Sequence, residues 1–174
     1  MDFWEVIAAR HSVREFDPRR DVPAEFIRRI LEAAVAAPSA GNRQPWHFFV
    51  VREARTRTCL AAAAYGQIFV SQAPVVIVVC AEPDRSAARY GYRGKMLYCL
   101  QDTAAATEHI LLAATALGLG ACWVGAFDED EVSQCLALSP SLRPVALVPI
   151  GYPAHGRPAM RSRRPLSEVV TFIE

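Results

Sequence analysis

The chain has 174 residues, 52% of them hydrophobic, with a mean hydropathy of +0.14 and a formal net charge of +1. So even a charge balance excludes a protein that recruits nucleic acid or an anionic membrane through its overall field. The length suits one domain, 1–174, with a real core, and the apolar excess predicts a hydrophobic subunit interface, hence a dimer.

The first residues, Met1 to Glu5, carry neither a basic leader nor an apolar run. The longest apolar stretch, Ala104 to Leu119, is broken by Thr107, Glu108, His109 and Thr115, so no membrane span and a cytoplasmic location are expected. Five scattered cysteines, with no C-x-x-C pair and no histidine at zinc spacing, read as small buried residues in a reducing compartment and predict no metal.

In chain order, Phe3, Val6 and Ile7 mark a short amphipathic helix ending near Arg10. Pro23 opens a second helix with its apolar stripe at Phe26, Ile27, Ile30, Leu31 and Ala34, and Pro38 closes it. A polar loop to Pro45 leads into a strand over His47–Val51, then a helix over Glu53–Ala64. Val75 to Cys80 is apolar at every position, the pattern of a strand covered on both faces. Ala81 to Gly94 reads as a long surface loop, and Leu97 to Leu117 as a central helix stopped by Gly118. A short strand over Ala121–Val124, a helix capped by Asp128 and running to Leu136, and a strand over Val145–Ile150 complete the core. The tail is turn-rich up to an apolar end, Val169–Ile173. Helices and strands in this order predict an α+β fold, a small sheet with helices around it.

Polar groups concentrate in loops at four places. Arg10-His11-Ser12-Val13-Arg14 and Arg161-Ser162-Arg163-Arg164 are basic clusters that suit a phosphate, or equally a solvated surface. Pro38 to Gln44 offers the amides of Asn42 and Gln44 beside Gly41, fit for the alternating donors and acceptors of a heterocycle or for an ordinary turn. Gly118 to Gly125 has the wrong glycine spacing for a dinucleotide fingerprint and follows a helix instead of preceding one. The histidines have no triad signature, His109 reads as a packing residue, and no nucleophile stands out, which leaves the chemistry to a cofactor.

These strings together resemble the flavin-dependent nitroreductase family, in its compact single-domain branch. The resemblance rests on Arg10–Arg14 with Phe16, on Pro38-Ser39-Ala40-Gly41-Asn42-Arg43-Gln44-Pro45-Trp46, on Gly66-Gln67 and on Ala73-Pro74. It continues through Gln101 to Ala106, Gly118 to Phe127, Gly151-Tyr152-Pro153 and Arg163 to Leu166, in the same order along nearly the whole chain. It implies a small, mostly antiparallel central sheet surrounded by helices, a C-terminal arm reaching the partner subunit, and FMN at a homodimer interface. Arg10, Ser12, Arg161 and Arg163 would then hold the phosphate, His11 would add contacts, and Arg14 would lie near the pyrimidine end. Gln67 and Gln44 would meet the ring edge, Pro38, Ser39, Ala40 and Asn42 would come from the partner, and Cys122, Trp123, Val124 and Gly125 would line the ring.

The implied reaction takes hydride from NADH or NADPH to FMN and then, ping-pong, to a small acceptor such as a nitroaromatic or quinone, with no catalytic side chain. Tyr90, Tyr92 and Arg93 are expected to touch the acceptor. The same scaffold also resembles flavoenzymes of dehalogenation, desaturation or flavin breakdown, and a non-catalytic flavin-binding or redox-sensing module.

Overall fold

The computed structural model describes residues 1–156 and 162–174. Its sheet has the order β1-β2-β4-β3, antiparallel throughout, with β1 Trp46–Val51, β2 Val75–Ala81, β3 Gly120–Ala121 and β4 Arg143–Gly151. β2 is buried at every position, as an unbroken apolar run between two helical layers must be. Its alternate side chains feed separate cores. Val75, Ile77 and Val79 meet Ile27 and Ile30 of α2 (Ala24–Val35) and Ile110 and Ala114 of α6 (Cys99–Ala116). Val76, Val78 and Cys80 meet Leu60 of α3 (Ala54–Ala63), Val70 of α4 (Phe69–Gln72) and Val132 of α7 (Glu129–Leu136). The first helix, α1, spans Phe3–Ala9 behind a capping box of Asp2 and Glu5, and Asp128 caps α7 by accepting from Asp130 and Glu131 N–H.

α6 is the expected central helix. Its small residues let α2 and the sheet approach closely, and its buried hydroxyls bond back along the helix, Thr103 to Cys99 O at 2.8 Å and Thr107 to Thr103 O. His109 does pack as read from the sequence, its Nδ1 2.8 Å from Ala33 O.

The structure corrects several local expectations. Residues 83–93 form a helix, α5 (Pro83–Arg93), where a long loop was expected. Pro83 sits in the first turn, where a missing N–H costs nothing, so the proline that suggested a loop begins a helix. Gly91 breaks α5 at φ 54°, ψ −139°, and a π-helical turn, Gly94–Tyr98, leads into α6. The strand expected over Ala121–Val124 is reduced to Gly120–Ala121 plus a single bridge from Val124 to Leu147. Two cysteines read as unpaired are joined: Cys59 on α3 and Cys135 on α7 form a disulfide with Cα atoms 5.9 Å apart. Spacing could not reveal it, because the partners lie 76 residues apart and meet only once α3 and α7 pack together. Cys80, Cys99 and Cys122 are free and buried.

Candidate functional site

The segment from Arg10 to Phe16 leaves α1 in extended conformation and runs along the β3 end of the sheet. Ser12 bridges Ala121 in parallel, Val13 N–H donates to Ala121 O at 2.9 Å, and Phe16 bridges Pro153. Extended backbone alternates its side chains. Val13 turns into the core, while Ser12 and Arg14 on either side of it face out. Two glycines allow this close docking. A Cβ at Gly120 would lie 2.7 Å from Val13 Cγ2, and one at Gly151 would lie 2.9 Å from Phe16 Cδ1.

The polar groups of this segment gather around Cys122. Burial pushes the Cys122 thiol up, opposed by the charge of Arg14, the hydroxyl of Ser12 and the charge of Arg10. Arg10 Nε lies 3.9 Å from Glu108 Oε1 on α6, a loose pair that leaves most of its donors available. Arg14 stands over the Phe69 ring, 5.8 Å from its centroid. His11 Nδ1 lies 2.9 Å from Ala9 O, which can only accept, so the proton sits on Nδ1. Beside them His11, Ser12, Arg14, Pro153 and His155 line a cavity of about 240 Å³, with the Glu15–His155 pair at 3.0 Å on its rim.

The chain continues from Cys122 as an open shelf. Val124 is fixed by reciprocal bonds with Leu147 of 2.9 and 3.0 Å, Trp123 is half-exposed, and Gly125 faces space in which a Cβ would find only Trp123 Nε1, at 3.9 Å. Gln67 serves this shelf: its Nε2 donates to Ala64 O and Ala126 O, both at 3.0 Å. A second cavity, of about 310 Å³, opens between Leu100, Thr103 and Thr107 of α6 and Trp123, Gly125 and Arg143.

The Pro38–Gln44 loop lies after α2 and is wound tightly. Gly41, Asn42 and Gln44 all have positive φ, of 54°, 54° and 50°, a strained run for which only the glycine is fully suited. Ser39 Oγ accepts from Gln44 N–H at 2.9 Å, and Ala40 N–H donates to Asp102 Oδ1 on α6 at 3.0 Å. Asp102 is 7% exposed, burial raises its carboxyl above the usual carboxylate range, and its Oδ2 has no partner among the described residues. No role was read from the sequence for Asp102 itself. Its signal was a carboxylate in an otherwise small, apolar helix face.

Arg10, His11, Ser12, Arg14, Cys122, Trp123, Val124, Gly125 and Gln67 thus share one region. Among the described residues of one chain, no hydrogen bond joins them to the Pro38–Gln44 loop. Tyr90 belongs with that loop, packed on Tyr98 with ring centroids 5.2 Å apart, while Tyr92 is 80% exposed and Arg93 Nε donates to Tyr98 Oη at 3.0 Å. Arg163 is exposed and donates to Ser162 O at 3.1 Å; Arg161 lies outside the described residues.

Comparison with known proteins adds to this geometry. The model of the nitroreductase family matches residues 7–72 and 61–152. A relative from Archaeoglobus fulgidus, named for an NADH dehydrogenase or NAD(P)H nitroreductase activity, is 38% identical over 154 residues, 86% of this chain and 84% of its own length. An NADH dehydrogenase from Thermus thermophilus is 34% identical over 94% of this chain and 92% of its own. A solved nitroreductase family protein from Clostridium difficile superposes with a TM-score of 0.87 at 34% identity, covering 99% of this chain and 98% of that one.

Proposed function

As the chain belongs to the nitroreductase family of oxidoreductases, we propose that it is an FMN-dependent NAD(P)H oxidoreductase acting as a homodimer, with FMN bound where two subunits meet. The observation that carries this reading is the segment Arg10–Arg14 docked on the sheet edge at Ala121, with His11, Ser12 and Arg14 lining one cavity beside an open glycine shelf.

The donor set fits FMN. Two guanidiniums and a hydroxyl suit a phosphate, which Arg10 and Ser12 would hold with Arg163. The backbone at Gly125 leaves room for a flat ring to lie against it, with the N–H groups of the shelf at its edge. When bound, FMN supplies reversible two-electron transfer, taking reducing equivalents from a nicotinamide and passing them to a nitroaromatic or quinone. Arg14 would place its positive charge by the ring and so favour the reduced, anionic state. No side chain is required as acid or base.

The second subunit supplies what one chain lacks. In this reading Ser39, Ala40, Asn42 and Gln44 reach the ring from the partner, held in their wound conformation by Asp102. Exposed apolar residues support such pairing. Phe3 and Trp4 on α1 are 62% and 75% exposed, and Leu166, Phe172 and Ile173 of the tail are 76%, 85% and 95% exposed, apolar surface that a partner subunit would cover. The tail would lie across the partner as an arm. Sedimentation of the FMN-loaded protein tests this: a dimer with two FMN is expected, and a monomer that binds FMN equally well would overturn the shared site.

A further inference from the structure

α5 and the Pro38–Gln44 loop bring together three arginines that the reading above leaves without a task. Arg43 Nε donates to Arg85 O at 3.1 Å, and Arg85 Nε donates to Arg43 O at 2.6 Å, so each side chain is held against the other residue's backbone. Arg89 follows Arg85 by four residues on the regular part of α5, hence on the same face. Its Nη1 would sit 3.1 Å from a Cβ at Gly41, two residues from Arg43. None of the ion pairs among the described residues involves any of the three; Asp84, the nearby acid with a partner, is 3.1 Å from Lys95. Glu82 is the other carboxylate of this segment, and it too pairs with none of them. Three cations in one patch with no carboxylate partner favour an anion there, and a phosphate accepts paired guanidinium N–H donors best.

We propose that Arg43, Arg85 and Arg89 form a second phosphate site, which takes the 2′-phosphate of NADPH. This rests on the reading of the protein as an NAD(P)H oxidoreductase. The FMN phosphate has its own cations at Arg10 and Arg163. Arg85 and Arg89 are exposed and flank the loop that, in that reading, reaches the ring from the partner subunit. NADPH carries this phosphate monoester and NADH lacks it, so a site that takes it selects between them.

The test is equilibrium binding of 2′,5′-ADP, 5′-AMP and inorganic phosphate to the FMN-loaded protein and to Arg89→Ala and Arg85→Ala. The expected result is 2′,5′-ADP binding at least about tenfold tighter than 5′-AMP, an advantage lost in Arg89→Ala, with the ratio of kcat/KM for NADPH over NADH falling about tenfold. Among the described residues Arg89 donates to no backbone carbonyl, so its removal leaves the reciprocal Arg43–Arg85 bonds intact if Arg85→Ala fails to fold. Equal binding of 2′,5′-ADP and 5′-AMP, or of 2′,5′-ADP and inorganic phosphate, would overturn the site. So would an unchanged preference in Arg89→Ala. If neither nucleotide reduced the protein while Arg89→Ala still abolished 2′,5′-ADP binding, the site would stand and the oxidoreductase reading would fall. If NADH and NADPH reduced it equally well and 2′,5′-ADP did not bind, the reverse would hold.

Discussion

Gly120→Ala probes how the Arg10–Arg14 segment is held, with a single methyl that adds no charge. The new Cβ would lie 2.7, 2.8 and 2.8 Å from Val13 Cγ2, Cβ and Cγ1. Carbon atoms in contact prefer about 3.5–4.0 Å, so the two must separate by about 1 Å. Val13 cannot simply turn away, because it is β-branched, 7% exposed and packed with Phe16 and Ala73. Relief comes from pushing the segment off β3, at the expense of the 2.9 Å bond from Val13 N–H to Ala121 O. Overpacking of this kind costs about 1–3 kcal/mol, which for a chain of this size lowers Tm by about 3–9 °C. Because Ser12 and Arg14 flank Val13, the same shift moves a phosphate donor and the cation proposed to lie beside the ring. FMN affinity should fall about tenfold, an effect equal to about 1.4 kcal/mol of binding. Thermal melts with FMN titration read both quantities. Val13→Ala in the Gly120→Ala background removes two of the three close contacts and should recover part of each. A destabilised variant with wild-type FMN affinity would refute the link between this docking and the site.

Arg10→Leu should weaken FMN binding about tenfold or more, while Arg14→Leu should slow reduction by NADPH about tenfold with a smaller loss of binding; stopped-flow reduction and FMN titration separate the two, and equal effects on binding alone would contradict the division. Reducing the Cys59–Cys135 bridge frees a loop of 76 residues and should lower stability by about 4 kcal/mol. Urea melts with and without dithiothreitol measure this, and Cys59→Ser should already show the loss without reductant. Asp102 has a raised folded pKa, so protonation favours the folded state and its contribution is lost as pH rises through that pKa. Asp102→Asn, which can still accept from Ala40 N–H, should therefore be neutral or stabilising at pH 7. That advantage should shrink on titration to acid, and a variant that loses stability at pH 7 would contradict the reading.

The layers of the fold were legible because burial writes itself into the sequence. β2 is apolar at every position and is buried on both faces, and α2 and α6 carry apolar positions at helical spacing and lie against it. Errors arose where one residue type serves two local conformations. Pro83 and Gly91 suit a loop by residue type, yet one begins α5 and the other breaks it. Strand length around Ala121 was misjudged because pairing partners set it, and β3 meets only Gly151 and Ile150. The Arg10–Arg14 and Gly118–Gly125 strings could be singled out as strings, but neither spacing nor composition says that Ser12 pairs with Ala121; packing against Gly120 decides that. Asp102 and the Cys59–Cys135 bridge escaped for the same reason, since each depends on a contact between segments more than sixty residues apart.

In this reading the site binds FMN and passes reducing equivalents from a nicotinamide to an acceptor. Anaerobic mixing of the FMN-loaded protein with NADPH, and separately with NADH, tests it most directly. The yellow flavin absorbance should bleach with at least one nucleotide and return when a nitroaromatic or quinone is added. A protein that takes up no FMN, or one whose flavin stays oxidised with both nucleotides, would contradict it.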